Sequence, residues 1–217
     1  MSKKFKHELF DKIPVIGIMR NFPVEHTTKT VTKFHETGLT TLEVTLNSKD
    51  ATQTIKQLVN DFGDTLNIGA GTVCSLNDLD AAIGAGSQFI VTPIINEEVI
   101  KKCVSLNIPI FPGAYTPSEI YKAWSLGATM IKLFPASSAG PSYFKDVLAP
   151  LNNVKLIATG GITLENFTQY LKAGAIGVGI GSNLFPKTII DNGSWDELEK
   201  FYKKFVTDYN QYKQTTK

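Results

Sequence analysis

Short apolar segments rich in β-branched residues alternate with segments of helical periodicity along most of the chain, and this alternation restricts the possible folds more than any other feature. Strands that alternate with helices form a parallel sheet with right-handed crossover connections. The pattern predicts eight strands, which are IPVIGIM (13–19), TTLEVTL (40–46), NIGAG (67–71), QFIVTP (88–93), IPIFPG (108–113), TMIKLF (129–134), VKLIATG (154–160) and IGVGIG (176–181).

Residues that tolerate a left-handed backbone conformation recur before the strands and mark the expected ends of the helices. They are Gly38, Gly63, Gly86, Asn107, Gly127, Asn152 and Gly174, at successive distances of 20 to 25 residues. This period is the size of one strand–helix unit with short loops. Eight such units predict an α/β protein with a closed (β/α)8 TIM barrel, preceded by a short N-terminal helix. An open doubly wound sheet is the alternative.

Length and composition agree with one large folded unit. A barrel can use all 217 residues, so we expect a single domain over residues 1–217. Apolar residues form 42% of the chain and charged residues 19%, which provides a core and excludes an intrinsically disordered chain. The formal charge is +2 and the lysines are scattered, so no nucleic-acid partner is expected.

The sequence predicts neither a membrane anchor nor a secretory signal. The first apolar run, residues 13–19, is too short to cross a bilayer and has no cleavage site. Cys74 and Cys103 have neither the spacing of a metal site nor that of a disulfide framework. We therefore expect a cytoplasmic protein with no membrane partner.

Lys132 is the most unusual residue of a predicted strand. Alternation along TMIKLF (129–134) places it on one face with Met130 and Phe134. A lysine in a buried sheet is costly in its charged form, so burial lowers its pKa and leaves a neutral amine. A neutral amine attacks carbonyl groups and forms Schiff bases. A lysine whose ammonium group reaches the surface is the alternative.

Glu43 occupies a comparable position on the second predicted strand. It shares a face with Thr41, Thr45 and Asn47, whereas the other face is apolar and suits packing against helices. We therefore expect Glu43 inside the barrel, where a carboxylate beside an iminium group serves as a general acid and base. A structural ion pair with Lys132 is the alternative, and both roles are compatible.

Glycine clusters follow three predicted strands. Gly160 and Gly161 follow the seventh strand, and Gly181 and Ser182 follow the eighth. Loops at these two places often bind phosphate through backbone N–H groups, although turn geometry alone also favours glycine. The segment GAGT (69–72) ends the third strand and brings a backbone and the hydroxyl of Thr72 towards a substrate.

Metal-dependent and triad mechanisms are not favoured. The three histidines, His7, His26 and His35, lie in the N-terminal segment or the first helix, away from the predicted strand ends. No Ser/His/Asp set falls at strand ends either. We therefore expect no metal and no cofactor.

Taken together, these segments resemble the class I pyruvate aldolases that act on 2-keto-3-deoxy-6-phosphogluconate, 2-keto-3-deoxy-6-phosphogalactonate and 4-hydroxy-2-oxoglutarate. The resemblance covers nearly the whole chain in order and spacing. The segments that carry it are VIGIMR (15–20), LEVTLNS (42–48), GAGTV (69–73), FIVTP (89–93), PGAYTPSE (112–119), IKLFPAS (131–137), TGGI (159–162) and GIGS (179–182).

The resemblance implies a role for each matching residue. Lys132 looks like the Schiff-base lysine and Glu43 like the proton-transferring carboxylate. The implied substrate contacts are Arg20, Thr72, Pro93 and Thr159, and the implied phosphate cradle is Gly160, Gly161, Gly181 and Ser182. A phosphorylated keto acid as substrate and a homotrimeric assembly are implied as well.

One position departs from the family pattern. Some members have an arginine where this chain has Asn47, so the substrate carboxylate must be bound by Arg20, Thr72 or backbone groups. The segment FPASSAGPSY (134–143) is similar to phosphogalactonate-type members and also to bifunctional ones, so both C4 epimers remain open. A phosphosugar isomerase or epimerase and a non-catalytic phosphosugar-binding protein are the alternative functions.

Overall fold

Parallel strands and helices alternate throughout the computed structural model, which describes residues 3–215. Within these residues the strands are β1 (Val15–Met19), β2 (Thr41–Thr45), β3 (Asn67–Gly71), β4 (Ile90–Val91), β5 (Ile110–Phe111), β6 (Gly113–Ala114), β7 (Ile131–Leu133), β8 (Leu156–Thr159) and β9 (Gly177–Ile180). Each predicted strand is therefore confirmed, and the fifth is divided into β5 and β6. The outermost predicted positions, residues 1, 2, 216 and 217, lie outside the described residues.

The helices occupy the segments between the strands. They are α1 (His7–Lys12), α2 (Val24–Glu36), α3 (Ala51–Phe62), α4 (Leu76–Gly84), α5 (Glu97–Ser105), α6 (Pro117–Ser125), α7 (Ala136–Leu148), α8 (Phe167–Lys172), α9 (Lys187–Asp191) and α10 (Trp195–Thr215). Helix α1 confirms the predicted N-terminal helix. In the described part of the chain, no helix has the length and apolar character needed to span a membrane.

The fifth strand closes the barrel although Pro112 interrupts it. On one side, the N–H groups of Ile90 and Thr92 donate to the carbonyls of Pro109 (2.9 Å) and Phe111 (3.3 Å). On the other side, the N–H group of Lys132 donates to the carbonyl of Pro112 (2.9 Å). A proline has no N–H to donate but keeps its acceptor, so this strand is split and still joins both neighbours. The closed barrel is confirmed over the open sheet.

Alternation along the strands separates an inner core from an outer one. Leu42, Val44, Ile131 and Leu133 belong to the large cluster packed between the strands and the helices. A second cluster fills the barrel interior and consists of Phe5, Phe10, Ile16, Phe89, Val91, Phe111, Met130 and Ile157. Met130 lies inside and Ile131 outside, so the predicted faces of this strand are confirmed.

The N-terminal segment closes the barrel at the ends where the strands begin. Asn67, the first residue of β3, accepts a hydrogen bond from the N–H of Lys6 (2.8 Å) and donates to its carbonyl (2.9 Å). The ring of Phe5 packs edge-on against Phe89 and Phe111 at centroid distances of 5.4 and 5.9 Å. This end of the interior is therefore sealed by aromatic side chains.

Five of the seven predicted helix ends adopt the expected backbone conformation. Positive φ angles occur at Gly38, Gly86, Asn107, Gly127 and Gly174. The prediction is wrong for Gly63, whose φ is −63°. A Cβ atom there would lie 2.6 Å from the carbonyl oxygen of Val59, so close packing explains this glycine. It is also wrong for Asn152, because α7 ends at Leu148 and a longer connection reverses the chain.

Candidate active site

A cavity of about 500 Å³ lies at the ends of β1, β7, β8 and β9 and brings together most of the predicted site residues. Those that line it are Arg20, Lys132, Thr159, Gly160, Gly161, Gly181 and Ser182. A smaller cavity in the barrel interior is lined by Glu43, Lys132 and Thr159 together with apolar side chains. Lys132 and Thr159 therefore border both spaces, and Glu43 lies on the interior side.

Lys132 is held in the middle of the sheet by its neighbours. It pairs in register with Gly113 on one side and Ile157 on the other, and only 7% of it is exposed. Burial lowers the pKa of its ammonium group, and Arg20 lowers it further, while Glu43 acts in the opposite direction. Its Nζ atom lies 5.3 Å from the centroid of the Phe134 ring. The arrangement favours a neutral amine that faces a solvent-connected cavity.

Glu43 is the buried acid beside this amine. It is 2% exposed, and burial raises the pKa of its carboxyl group, although the charges of Lys132 and Arg20 act to lower it. A Cβ atom at Gly71 would lie 2.6 Å from Oε1 of Glu43, so a glycine on β3 makes room for the carboxylate. A raised pKa brings the carboxyl group closer to the range in which it is able both to give and to take a proton in catalysis.

Glu43 and Lys132 do not form a direct ion pair, which was the alternative interpretation of Glu43. Among the described residues, no carboxylate oxygen lies within 4.0 Å of the Nζ atom of Lys132. The two groups influence each other electrostatically without contact. A direct ion pair therefore does not account for the burial of these two groups.

Arg20, Thr72 and Pro93 are the remaining predicted substrate contacts, and they differ in their relation to the cavities. Arg20 is exposed to the larger cavity, and no acidic side chain of the described chain lies within 4.0 Å of it. Thr72 has φ 60°, a strained conformation for a β-branched residue. Neither Thr72 nor Pro93 lines the two cavities described above. The backbone of Pro93 instead packs against Gly113, where a Cβ atom would lie 2.4 Å from it.

The loops after β8 and β9 present unpaired backbone donors to the cavity. Gly160 and Gly161 have φ angles of 97° and 72°, which glycine adopts without strain. In the described chain, the N–H groups of Gly161, Ser182 and Asn183 have no protein acceptor. The side chain of Asn183 donates to the carbonyl of Ile162 (2.9 Å) and so ties the two loops together. Free backbone N–H groups in loops bind anions.

The lining residues that were not singled out from the sequence include Asn183, Lys187 and Asp191. Asn183 directly follows the GIGS segment, which is the signal that could have identified it. Nothing in the sequence distinguished Lys187 from the other lysines of the chain. Asn47, at the position that departs from the family pattern, is exposed.

The histidines lie outside the candidate site. Their rings pack edge-on against other aromatic rings, His7 on Phe5 and His26 on Trp195, and His35 packs in the same way on Phe62. Within residues 3–215, no three His, Cys, Asp or Glu side chains are grouped so that they could hold a metal ion.

Several known proteins are similar to this chain in sequence and structure. The 2-dehydro-3-deoxy-6-phosphogalactonate aldolase of Escherichia coli strain K12 is 38% identical over 175 residues, which cover 80% of this chain and 85% of that protein. A solved structure described as native KDPGal is 35% identical, with a TM-score of 0.86 and coverage of 94% of this chain and 97% of that one.

A second solved structure contains a reaction intermediate. It is a KDPG aldolase from Legionella pneumophila with pyruvate captured as a covalent carbinolamine; it is 29% identical, with a TM-score of 0.82 and coverage of 90% and 95%. The family model described as KDPG and KHG aldolase matches residues 7–201 of this chain. Because that match spans most of the barrel, the chain belongs to the family of KDPG and KHG aldolases.

Proposed function

We propose that this protein is a class I aldolase that cleaves a 2-keto-3-deoxy-6-phosphohexonate into pyruvate and glyceraldehyde 3-phosphate. The observation that carries the proposal is the buried Lys132, whose lowered pKa favours a neutral amine that faces the cavity and has no contact with an acid. The relatives named above are aldolases, and one was captured with pyruvate as a carbinolamine.

The reaction begins when the neutral amine of Lys132 attacks the C2 ketone and forms a carbinolamine. Loss of water gives an iminium ion, which accepts the electron pair of the C3–C4 bond as that bond breaks. The C4 hydroxyl loses its proton and the aldehyde leaves. Protonation of the remaining enamine at C3 and addition of water release pyruvate and restore the amine.

Glu43 is the group in position to move these protons. It borders the same interior space as Lys132, and burial raises its pKa towards the range in which a carboxyl group exchanges protons in catalysis. We assign it the dehydration of the carbinolamine and the transfer at the carbon next to the iminium. Thr159, which borders both cavities, contacts the substrate between the two catalytic groups.

Binding requires a partner for each end of the substrate. The guanidinium of Arg20 takes the carboxylate, because it is free of acidic partners in the described chain and faces the cavity. We assign Thr72 and Pro93 to the pyruvyl end, where Thr72 is held in a strained conformation. The phosphate binds to the N–H groups of the loops that contain Gly160, Gly161, Gly181 and Ser182.

The proposal includes both C4 epimers and 4-hydroxy-2-oxoglutarate as candidate substrates. Relatives named for each of the two epimers are similar to this chain. The phosphogalactonate aldolase of Escherichia coli is described above. A 2-dehydro-3-deoxy-phosphogluconate aldolase of Pseudomonas aeruginosa is 32% identical over 177 residues. The residues described here require no cofactor for this reaction.

We also propose a cytoplasmic homotrimer, as the family resemblance implies. A protein cage designed by fusing symmetric oligomeric domains is 34% identical over the 94% of this chain that it covers, which supports assembly. Exposed apolar side chains such as Ile94 (51%) and Tyr121 (57%) are compatible with contact surfaces between subunits.

Pyruvate release tests the proposal. The protein is incubated in parallel with the two phosphorylated epimers and 4-hydroxy-2-oxoglutarate, with and without a chelator, and pyruvate is measured. We expect pyruvate from at least one phosphorylated epimer at a rate that the chelator leaves unchanged. Interconversion of phosphosugars without pyruvate, or inhibition that added divalent metal reverses, would instead support the isomerase or epimerase alternative.

A further inference from the structure

Helix α9 holds a lysine at the edge of the candidate cavity, next to the loop that follows β9. Pro186, with φ −65°, precedes the helix, and Ile190 anchors it with 1% exposure. The N–H of Ile190 donates to the carbonyl of Pro186 (3.1 Å). Lys187, the first residue of α9, and Asp191, its last, both line the cavity. The backbone that carries Lys187 is therefore fixed in place.

Lys187 has no acidic partner although one is available. In the described chain, no carboxylate lies within 4.0 Å of its ammonium group, and Asp191 follows at the spacing of one helical turn. Lys204 and Asp208 have the same order and spacing on α10, and they form an ion pair of 3.1 Å. The open Lys187–Asp191 pair leaves a cation at the cavity that an anion is able to contact.

The cations of the cavity come from different parts of the chain. Lys132 and Arg20 interact electrostatically with each other, whereas Lys187 follows the free N–H groups of Ser182 and Asn183 along the chain and lines the same cavity. A backbone cradle provides hydrogen bonds to a phosphate but no net charge, and a lysine adds that charge. Asp191, on the same helix, opposes it.

We propose that Lys187 is a specificity-determining residue whose ammonium group binds the distal phosphate of the substrate and selects phosphorylated over unphosphorylated keto acids. Asp191 sets the strength of this interaction by repelling the same phosphate. The inference rests on the proposed aldolase function and extends it, because it gives a side chain outside the glycine loops a share in substrate choice.

The test compares Lys187→Met, Asp191→Asn and Lys56→Met with the unaltered protein. Lys56 is exposed on α3 and serves as the matched control for loss of one surface charge. For the better phosphorylated epimer, we expect Lys187→Met to raise KM roughly five- to tenfold with a much smaller change in kcat. We expect Asp191→Asn to lower KM about twofold, and inhibition by inorganic phosphate to weaken in Lys187→Met alone.

The outcomes separate this inference from the proposed function. Covalent trapping of pyruvate by borohydride is measured on the same samples as a readout of the Schiff base. Intact trapping with equal KM values in Lys187→Met and Lys56→Met would overturn the role of Lys187 and leave the aldolase function standing. Absence of trapping in the unaltered protein would overturn the aldolase function itself. If Lys187→Met lost activity equally with the phosphorylated substrate and with 4-hydroxy-2-oxoglutarate, this result would also contradict selection at the phosphate.

Discussion

The two ends of the barrel interior are built from opposite kinds of side chain. Where the strands begin, the rings of Phe5, Phe89 and Phe111 pack together, with 5.3 Å between the centroids of Phe89 and Phe111. Where the strands end, Glu43 and Lys132 are buried without a direct contact between them. Burial of aromatic rings stabilises a fold, whereas burial of ionisable groups without close partners destabilises it. One end therefore stabilises the barrel, and the other holds buried ionisable groups at a cost in stability.

Two glycines of β3 that are two residues apart in the strand show the same contrast. A Cβ atom at Gly69 would lie 2.5 Å from the ring of Phe89, and one at Gly71 would lie 2.6 Å from Oε1 of Glu43. The first glycine makes room for packing, and the second makes room for a carboxylate. Mutations at the two ends should accordingly separate stability from activity.

The largest effect is expected for Lys132→Met. Removal of the amine should reduce aldol cleavage by at least about 10³-fold, because the imine cannot form. The same change should raise the melting temperature by about 2–4 °C, since it replaces a buried amine by an apolar side chain of similar length. Cleavage assays and thermal unfolding of the same preparation check both parts.

The stability gain of Lys132→Met should also depend on pH. Because burial lowers the pKa of Lys132 below its ordinary value of 10.5, the unfolded chain binds the proton more readily than the folded one. The cost of burial is complete below the folded-state pKa and disappears above 10.5. A gain in stability that grows as the pH rises would contradict this assignment.

Phe89→Ala is the opposite experiment at the other end of the interior. Phe89 is fully buried, and removal of its ring should lower the free energy of unfolding by about 3–5 kcal/mol. Denaturant unfolding measures this loss. The fraction that remains folded should still trap pyruvate at Lys132. If the folded fraction lost trapping while stability was unchanged, the two ends would not be separable in the way described.

Glu43→Gln should have the next largest effect. The amide keeps the shape of the side chain but cannot accept a proton, so kcat should fall by about 10²-fold, in the range of general acid and base residues. Steady-state kinetics give the loss, and the rate of trapping with pyruvate shows whether imine formation is slowed. Near-normal turnover would leave Glu43 with a structural role only.

The pH dependence of this variant distinguishes the two groups further. Imine formation requires neutral Lys132, so kcat/KM should fall as the pH decreases through the lowered pKa of the lysine. The charge of Glu43 raises that pKa, so Glu43→Gln should shift the acid limb to lower pH. An acid limb that moved to higher pH would be inconsistent with the electrostatic coupling.

Ser182→Asp should have the smallest effect of the series. A carboxylate beside the free N–H groups of the β9 loop would repel a bound phosphate, so KM for the phosphorylated substrate should rise by at least about tenfold. Cleavage of 4-hydroxy-2-oxoglutarate, which lacks the phosphate, should fall far less. Equal losses on both substrates would place the phosphate elsewhere.

The sequence predicted the strands, the closed barrel and the inward direction of Lys132, because these depend on local periodicity. It did not predict the split of the fifth strand at Pro112, although a proline within a strand was a usable signal. Positive φ was wrongly expected at Gly63, since its close approach to Val59 involves packing that spacing along the chain does not reveal.

Contacts of the candidate site that depend on packing were likewise not predictable from the sequence. Arg20 lies in a segment that carries the family resemblance, whereas Lys187 lies outside those segments and was identified only from the position of α9 beside the cavity. Whether Glu43 and Lys132 are in contact depends on the distance between their strands, which the residue pattern of a single strand does not determine.

Covalent trapping with pyruvate and borohydride shows whether Lys132 forms the Schiff base. The reduced protein is digested, and the modified residue is located by mass spectrometry, with Lys132→Met treated in parallel. We expect one stable addition on Lys132, loss of activity in proportion to the labelled fraction, and no addition in the variant. Label on a different lysine, or full activity with no label at all, would contradict the assignment of Lys132 as the Schiff-base residue.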